Sequence, residues 1–167
     1  MVGIARAWNQ PLRRIYLVWG SVLLVGFLLT GYGFQDGWVH WYPLSIIGLL
    51  SQIIKMRLSD YRAKILLVMW ALLSLGGTLY SHQLMVGTID FPNVYFTSFA
   101  IFWLYIMGIP QIVTGFFLKS KFQMGLGVFW IALSIVFKNV LSLDESTMSY
   151  LTAAATGLPY LYISFKK

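Results

Sequence analysis

This sequence has no cysteine, only five acidic residues and only two histidines among 167. Without cysteine there is no disulfide framework, thiolate nucleophile or thiolate-bound metal. Charged residues make up 10% of the chain, where an ordinary soluble domain carries about 25%. So few charges cannot cover a surface facing water. The acids are also confined in position: Asp36, Asp60, Asp90, Asp144 and Glu145 all fall between apolar runs, never inside one. That pattern argues against proton-coupled transport through a buried carboxylate and against carboxylate-based hydrolysis within a membrane. No Walker loop, nucleophile elbow, redox CxxC or phosphatase signature occurs.

What is present is apolar. Hydrophobic residues account for 59% of the chain and the mean hydropathy is +0.75. The class these values define is an all-α polytopic membrane protein, forming one transmembrane domain over residues 1–167. A spanning helix needs roughly 20 apolar residues. Six segments approach that length, at about 15–34, 38–54, 65–84, 93–118, 123–140 and 147–165. Residues 1–14 are too mixed to span and read as a surface segment, with Trp8 at headgroup depth. The apolar part of the first span exceeds the about 7–15 residues of a signal peptide core, and no A-x-A-like site follows. It reads as an uncleaved anchor.

Charge placement tests this division independently. If the N-terminus is cytoplasmic, every Lys and Arg except Lys138 falls in a cytoplasmic segment. All the acids except Asp60 fall on the other side. This asymmetry matches the positive-inside rule and puts both termini inside, in a cytoplasmic (inner) membrane. The net charge of +7 is then explained by the anionic inner leaflet, and no nucleic-acid partner is expected.

The fourth predicted span carries the most informative cluster, Gly108, Pro110 and Gln111. Proline inside a helix removes a backbone hydrogen bond and crowds the carbonyl four residues earlier, here that of Ile106. Gln111 lies eight residues before Lys119, about 12 Å from the boundary at helical rise, and Thr114 shares its face. Interrupted helices with polar side chains at this depth point to binding sites in transporters; packing kinks show the same residues. Gln52 occupies a comparable position in the second span. Trp19, Trp70, Trp103 and Trp130 lie deep enough to stack on a flat ligand or to fill the core. The candidate ligand-binding set is Gln111, Thr114, Gln52, Pro110 and Trp103.

Other features carry less. The small-residue pairs Ala153/Gly157, Ser74/Thr78 and Gly77/Ser81 permit close helix approach. Trp70 to Ser74 and Trp130 to Ser134 share W-x-x-L-S at a 60-residue offset, consistent with either a duplicated hairpin or chance. Lys138 and Asn139 sit near a helix end, where lysine snorkels to the interface. His40 and His82 are the only metal-ligand candidates; they fall near the outer face, without H-E-x-x-H or related spacing. No metal and no cofactor is expected.

YLVWG in the first span, the turn from Ile112 to Lys121, the Gly125–Trp130 start of the fifth span and GLPYLY near the end together resemble small multi-span bacterial integral membrane proteins of unknown function. That resemblance implies no activity and no site residues. By size and span count the chain is also similar to the substrate-binding subunits of energy-coupling-factor vitamin transporters, a likeness of fold alone.

Three functions follow as expectations. The first is a non-enzymatic accessory or structural subunit that binds other membrane proteins. The second is a small-molecule-binding or transport component, taking a neutral or amphipathic ligand near Pro110. The third is a membrane enzyme at the outer face, using His40 and His82.

Overall fold

Where no water is available to the backbone, each peptide group must find its partner within its own segment, which favours helix throughout. The computed structural model describes residues 2–32, 39–55, 61–85, 98–139 and 143–165, and these form six helices with no strand among them. They are α1 (Val2–Gly31), α2 (Trp41–Lys55), α3 (residues 61–85), α4 (Phe99–Leu118), α5 (Lys121–Asn139) and α6 (Glu145–Phe165).

Two helices differ from their sequence-based limits. α1 begins at Val2, so the segment predicted to lie separately on the membrane surface continues the first helix without a break. α3 is interrupted by a single π-turn, Leu72–Gly76, between Tyr61–Ala71 and Gly77–Met85. Pro110, expected to break or kink its span, lies inside α4, which continues through it from Phe99 to Leu118. π-turns arise where a helix accommodates an extra residue, often near functional positions. The predicted start of the fourth span at 93 lies outside the described residues.

Helix ends follow local chemistry. Ser98 caps α4 by accepting from the Ile101 amide at 3.1 Å. The α4 C-terminus closes on Lys119, a left-handed residue with φ 53°. There the Ser120 amide returns to Gly115 O at 2.8 Å and the Lys119 amide to Phe116 O at 3.2 Å, the paired bonds of a Schellman ending. α5 resumes at once at Lys121.

Asp144 caps α6, its carboxylate accepting from the Thr147 amide at 2.8 Å and the Thr147 hydroxyl at 2.7 Å. The hydroxyl bond, followed by the amide bond, holds this carboxyl below its ordinary 3.8. Because the folded value is depressed, the cap's contribution is full above the ordinary value and is lost as pH falls through the lowered one. Asp144→Asn is therefore expected to remove part of the acid-side loss of stability, read from unfolding temperatures between about pH 2 and 6. Neighbouring Glu145 behaves oppositely. As a whole residue it is exposed, yet its carboxylate tip turns onto the start of α4 and accepts from the Ala100 amide at 3.2 Å. Burial of that tip raises its value above 4.5, opposed by the Ala100 bond.

Successive helices are neighbours, and α6 returns to pack along α1, closing a ring. The α1–α6 and α4–α5 contacts are the most extensive, and α4 also touches α6 across the centre. Both extensive pairs cross at glycines. A Cβ on Gly157 would come within 2.9 Å of Gly20 O, and one on Gly127 within 2.5 Å of Gly108 O. Small residues at these points let two backbones approach without intervening side chains.

The exterior is unusually apolar and the interior unusually polar. Leu72, Ile54 and Phe116 are at least 70% exposed, whereas Gln111, Gln123, Thr152 and Thr156 are fully buried. Four helical segments are long and apolar enough to cross a membrane: Leu12–Gly31, Tyr61–Leu84, Phe99–Leu118 and Lys121–Asn139. α2, with 15 residues, reaches only about 22 Å at helical rise, short of the roughly 30 Å hydrocarbon core. α6 has the length, but its Ser, Thr, Gly and Tyr content lowers its hydropathy, and it buries Ser149, Thr152 and Thr156 instead.

Candidate functional site

The middle of α1, end of α2, start of α3 and end of α4 meet at one end of the bundle. There, with α6, they enclose a partly open cavity of about 40 Å³. Its walls are aromatic and aliphatic: Leu12, Tyr16, Trp19 and Leu23 from α1, Leu66 and Trp70 from α3, Leu118 at the end of α4 and Tyr160 from α6. Its polar members are Gln52 and Thr114. The end is basic, carrying Arg13, Arg14, Lys55, Arg62, Lys64, Lys119 and Lys121.

Each polar wall atom has a definite status. Thr114 Oγ1 accepts from Trp70 Nε1 at 3.0 Å. That bond ties α3 to α4 two residues before the π-turn, and Ser74 within the turn donates to Trp70 O at 2.6 Å. Gln52 Oε1 and Trp19 Nε1 are buried and have no hydrogen-bond partner. Burying such groups unpaired costs about 1–3 kcal/mol each. Both residues line the same cavity, and each keeps one buried polar atom without a partner. Trp19 and Trp70 lie across from one another with ring centroids 6.0 Å apart at 41°.

Gln111 is near this cavity but behind its wall. It is fully buried, and its Oε1 accepts from the Tyr160 hydroxyl at 2.5 Å while its Nε2 has no partner. Tyr160 stacks on Tyr16 at 5.5 Å and 7°, and both tyrosines line the open space, which Gln111 does not. Gln123 belongs to the same layer: the Tyr16 hydroxyl lies against it, yet neither amide atom makes a well-formed hydrogen bond.

If the Tyr160 bond is what keeps Gln111 tolerable, Tyr160→Phe should cost about 1–3 kcal/mol by leaving the whole amide unpaired. Tyr160→Phe combined with Gln111→Leu should recover most of that loss. Unfolding midpoints in a denaturing-detergent titration check both, and equal destabilisation by the single and double variants would refute the pairing.

The candidate residues therefore divide. Gln52 and Thr114 line the cavity together; Gln111 buttresses it; Pro110 is half-buried inside a continuous helix. Trp103 belongs to the opposite end. It stacks on Trp41 at 6.2 Å and 13° and donates to Ser81 Oγ at 3.1 Å, about 12 Å along α4 from Gln111 at helical rise. His40 sits at that end too, its Nε2 2.9 Å from Gly26 O, which requires the proton on that nitrogen. Among the described residues no group of three or more His, Asp or Glu is placed to hold a metal ion. Tyr16, Tyr160 and Gln123 were not singled out by sequence. A polar side chain one helical turn from an aromatic occurs too often in apolar chains to mark a site.

The four apolar helices, with a polar interior and an apolar exterior, define a multi-pass helical membrane protein. No protein-family model matches the chain, and no curated protein or solved structure is significantly similar to it.

Proposed function

We propose that this is a six-span protein of the cytoplasmic (inner) membrane, with both termini inside, that binds the polar head of a small neutral or amphipathic molecule in the basic-end cavity. The observation that carries the binding reading is the pair of unpartnered buried atoms, Trp19 Nε1 and Gln52 Oε1, on two residues that line the cavity. A head bearing one acceptor and one donor satisfies both. The cavity volume of about 40 Å³ holds roughly three water-sized groups, far below the about 300–1,000 Å³ of a drug-sized cleft. The ligand's apolar part therefore lies outside, against Leu12 and Leu118. The orientation draws its support from the basic residues that collect at this end, which the positive-inside rule assigns to the cytoplasm.

Purification in mild detergent followed by small-molecule mass spectrometry tests the binding reading. A bound amphiphile should accompany the native protein and fall at least about tenfold in Trp19→Phe and Gln52→Leu, since each variant removes one hydrogen bond worth about 1–3 kcal/mol in a dry site. Native protein without a ligand, or variants that retain it equally, would refute the reading.

An accessory role draws separate support from α3. Its outward face carries Leu72, Gly76 and Leu79, and a side chain added at Gly76 would meet nothing within 4 Å. Another membrane subunit seated there would co-purify, and Gly76→Leu would release it.

A further inference from the structure

A second concavity lies on the outside of the same basic end, between the start of α3 and the α4–α5 turn. Its volume is about 450 Å³, an order of magnitude larger than the internal cavity. Three cations border it, Arg62, Lys119 and Lys121, and three aromatic rings complete it, Tyr61, Phe116 and Phe117. The two kinds of residue come together for local reasons. The Schellman ending of α4 turns the chain within two residues, so Lys119 and Lys121 flank the turn while Phe116 and Phe117 stay on the last helical turn. Phe116 is 72% exposed, and a ring so placed at a helix end stands at the level where hydrocarbon gives way to headgroups. Arg62 lies over the Tyr61 ring at 5.6 Å and bonds its hydroxyl at 3.2 Å, so the guanidinium is held at the groove edge. The first amides of α5, at Lys121 and Phe122, add the positive end of a helix dipole on the same side.

We propose that this groove binds one anionic phospholipid of the inner leaflet, with its phosphate among Arg62, Lys119 and Lys121 and its acyl chains along Phe116 and Phe117. The charge complementarity identifies the head, and the exposed Phe116 with half-buried Phe117 beside it identifies a lipid rather than a free anion. A guanidinium and two ammonium groups suit a phosphodiester oxygen set. The assignment rests on the membrane orientation proposed above, but not on the ligand of the internal cavity, from which this groove is lined by different residues.

The test uses the full chain in neutral detergent with equal amounts of phosphatidylglycerol and phosphatidylcholine, counting retained lipids by native mass spectrometry. The native protein should retain one phosphatidylglycerol in marked preference to phosphatidylcholine. Removing one interfacial cation should lower that preference about fivefold. Lys119→Gly is the first variant, because glycine relaxes the left-handed φ and keeps the turn. The triple variant Arg62→Gln/Lys119→Gly/Lys121→Gln should bring the ratio close to unity, and Arg13→Gln/Arg14→Gln, at the same end but off the groove, should leave it unchanged. An unaltered preference in Lys119→Gly, or an equal loss in the Arg13/Arg14 control, would overturn the proposal in favour of diffuse attraction. Displacement of the lipid by inorganic phosphate alone would overturn it in favour of a free-anion site. Failure of the Trp19 and Gln52 variants to alter ligand retention leaves this result untouched, so the two readings fail separately.

Discussion

Gly127→Leu is expected to prevent assembly of the native bundle. The position faces Gly108 across the α4–α5 crossing, where an added Cβ would lie 2.5 Å from Gly108 O and 2.8 Å from the Ile112 amide nitrogen. Both obstacles are backbone atoms of a helix held by its own hydrogen bonds, so no rotamer change relieves the clash. Overpacking of an ordinary core costs about 1–3 kcal/mol; here helix separation must increase, and the loss should exceed that range. Fluorescence-detected gel filtration would show aggregated or absent protein, and Gly157→Leu at the α1–α6 crossing should behave alike. Gly125→Leu is the matched control. It lies two residues away on the outer face of α5, with nothing within 4 Å of an added Cβ, and should assemble normally. Normal assembly of Gly127→Leu would mean that α4 and α5 do not cross as described.

The second large effect is expected at Trp130. It is fully buried, packs edge-on against Tyr160 at 5.9 Å and 88°, and donates its indole N–H to Ala155 O at 2.9 Å. It thereby joins α5 to the middle of α6, two helices that otherwise touch little. Trp130→Ala should destabilise the protein by about 3–5 kcal/mol, the usual cost of deleting a fully buried tryptophan. The Tyr160 ring would then lose one of its supports, and through it Gln111 would lose its partner. Trp130→Phe keeps most of the packing but leaves Ala155 O without its donor, and should cost less. Unfolding midpoints for the two variants decide the point: equal losses would show that the N–H, rather than the ring, is what matters.

The two W-x-x-L-S segments illustrate what pattern alone conveys. Both tryptophans donate their N–H, but Trp70 does so to a side chain across the α3–α4 seam and Trp130 to a backbone carbonyl of α6. A shared string therefore occupies two different environments. Gln111 is a similar case. Its polarity and its place in the longest apolar run made it the natural candidate for a ligand site, and a lone amide in such a run must find something to bond. Whether that partner is a ligand or a protein side chain depends on which residue of a distant helix arrives beside it, here Tyr160, 49 positions away. Pro110 shows the same limit. A proline forbids one hydrogen bond but need not end a helix: α4 continues through it, and a π-turn stands in α3.

By itself the sequence determined the class of protein, because the burial of apolar side chains and the cost of unpaired backbone in lipid are properties of composition and run length. It also determined the end at which the cations collect, since their positions relative to helix ends are local. It showed which small residues permit close crossings, and Gly157 is found at one. Only the tertiary structure decided which polar side chains share a cavity, which satisfy one another and which are left without partners. Those outcomes depend on how helices from opposite ends of the chain rotate against each other, and a rotation of one residue, about 100°, exchanges the buried Gln52 for the exposed Ile53. Trp19 and Gln52 came to face one space through that rotation.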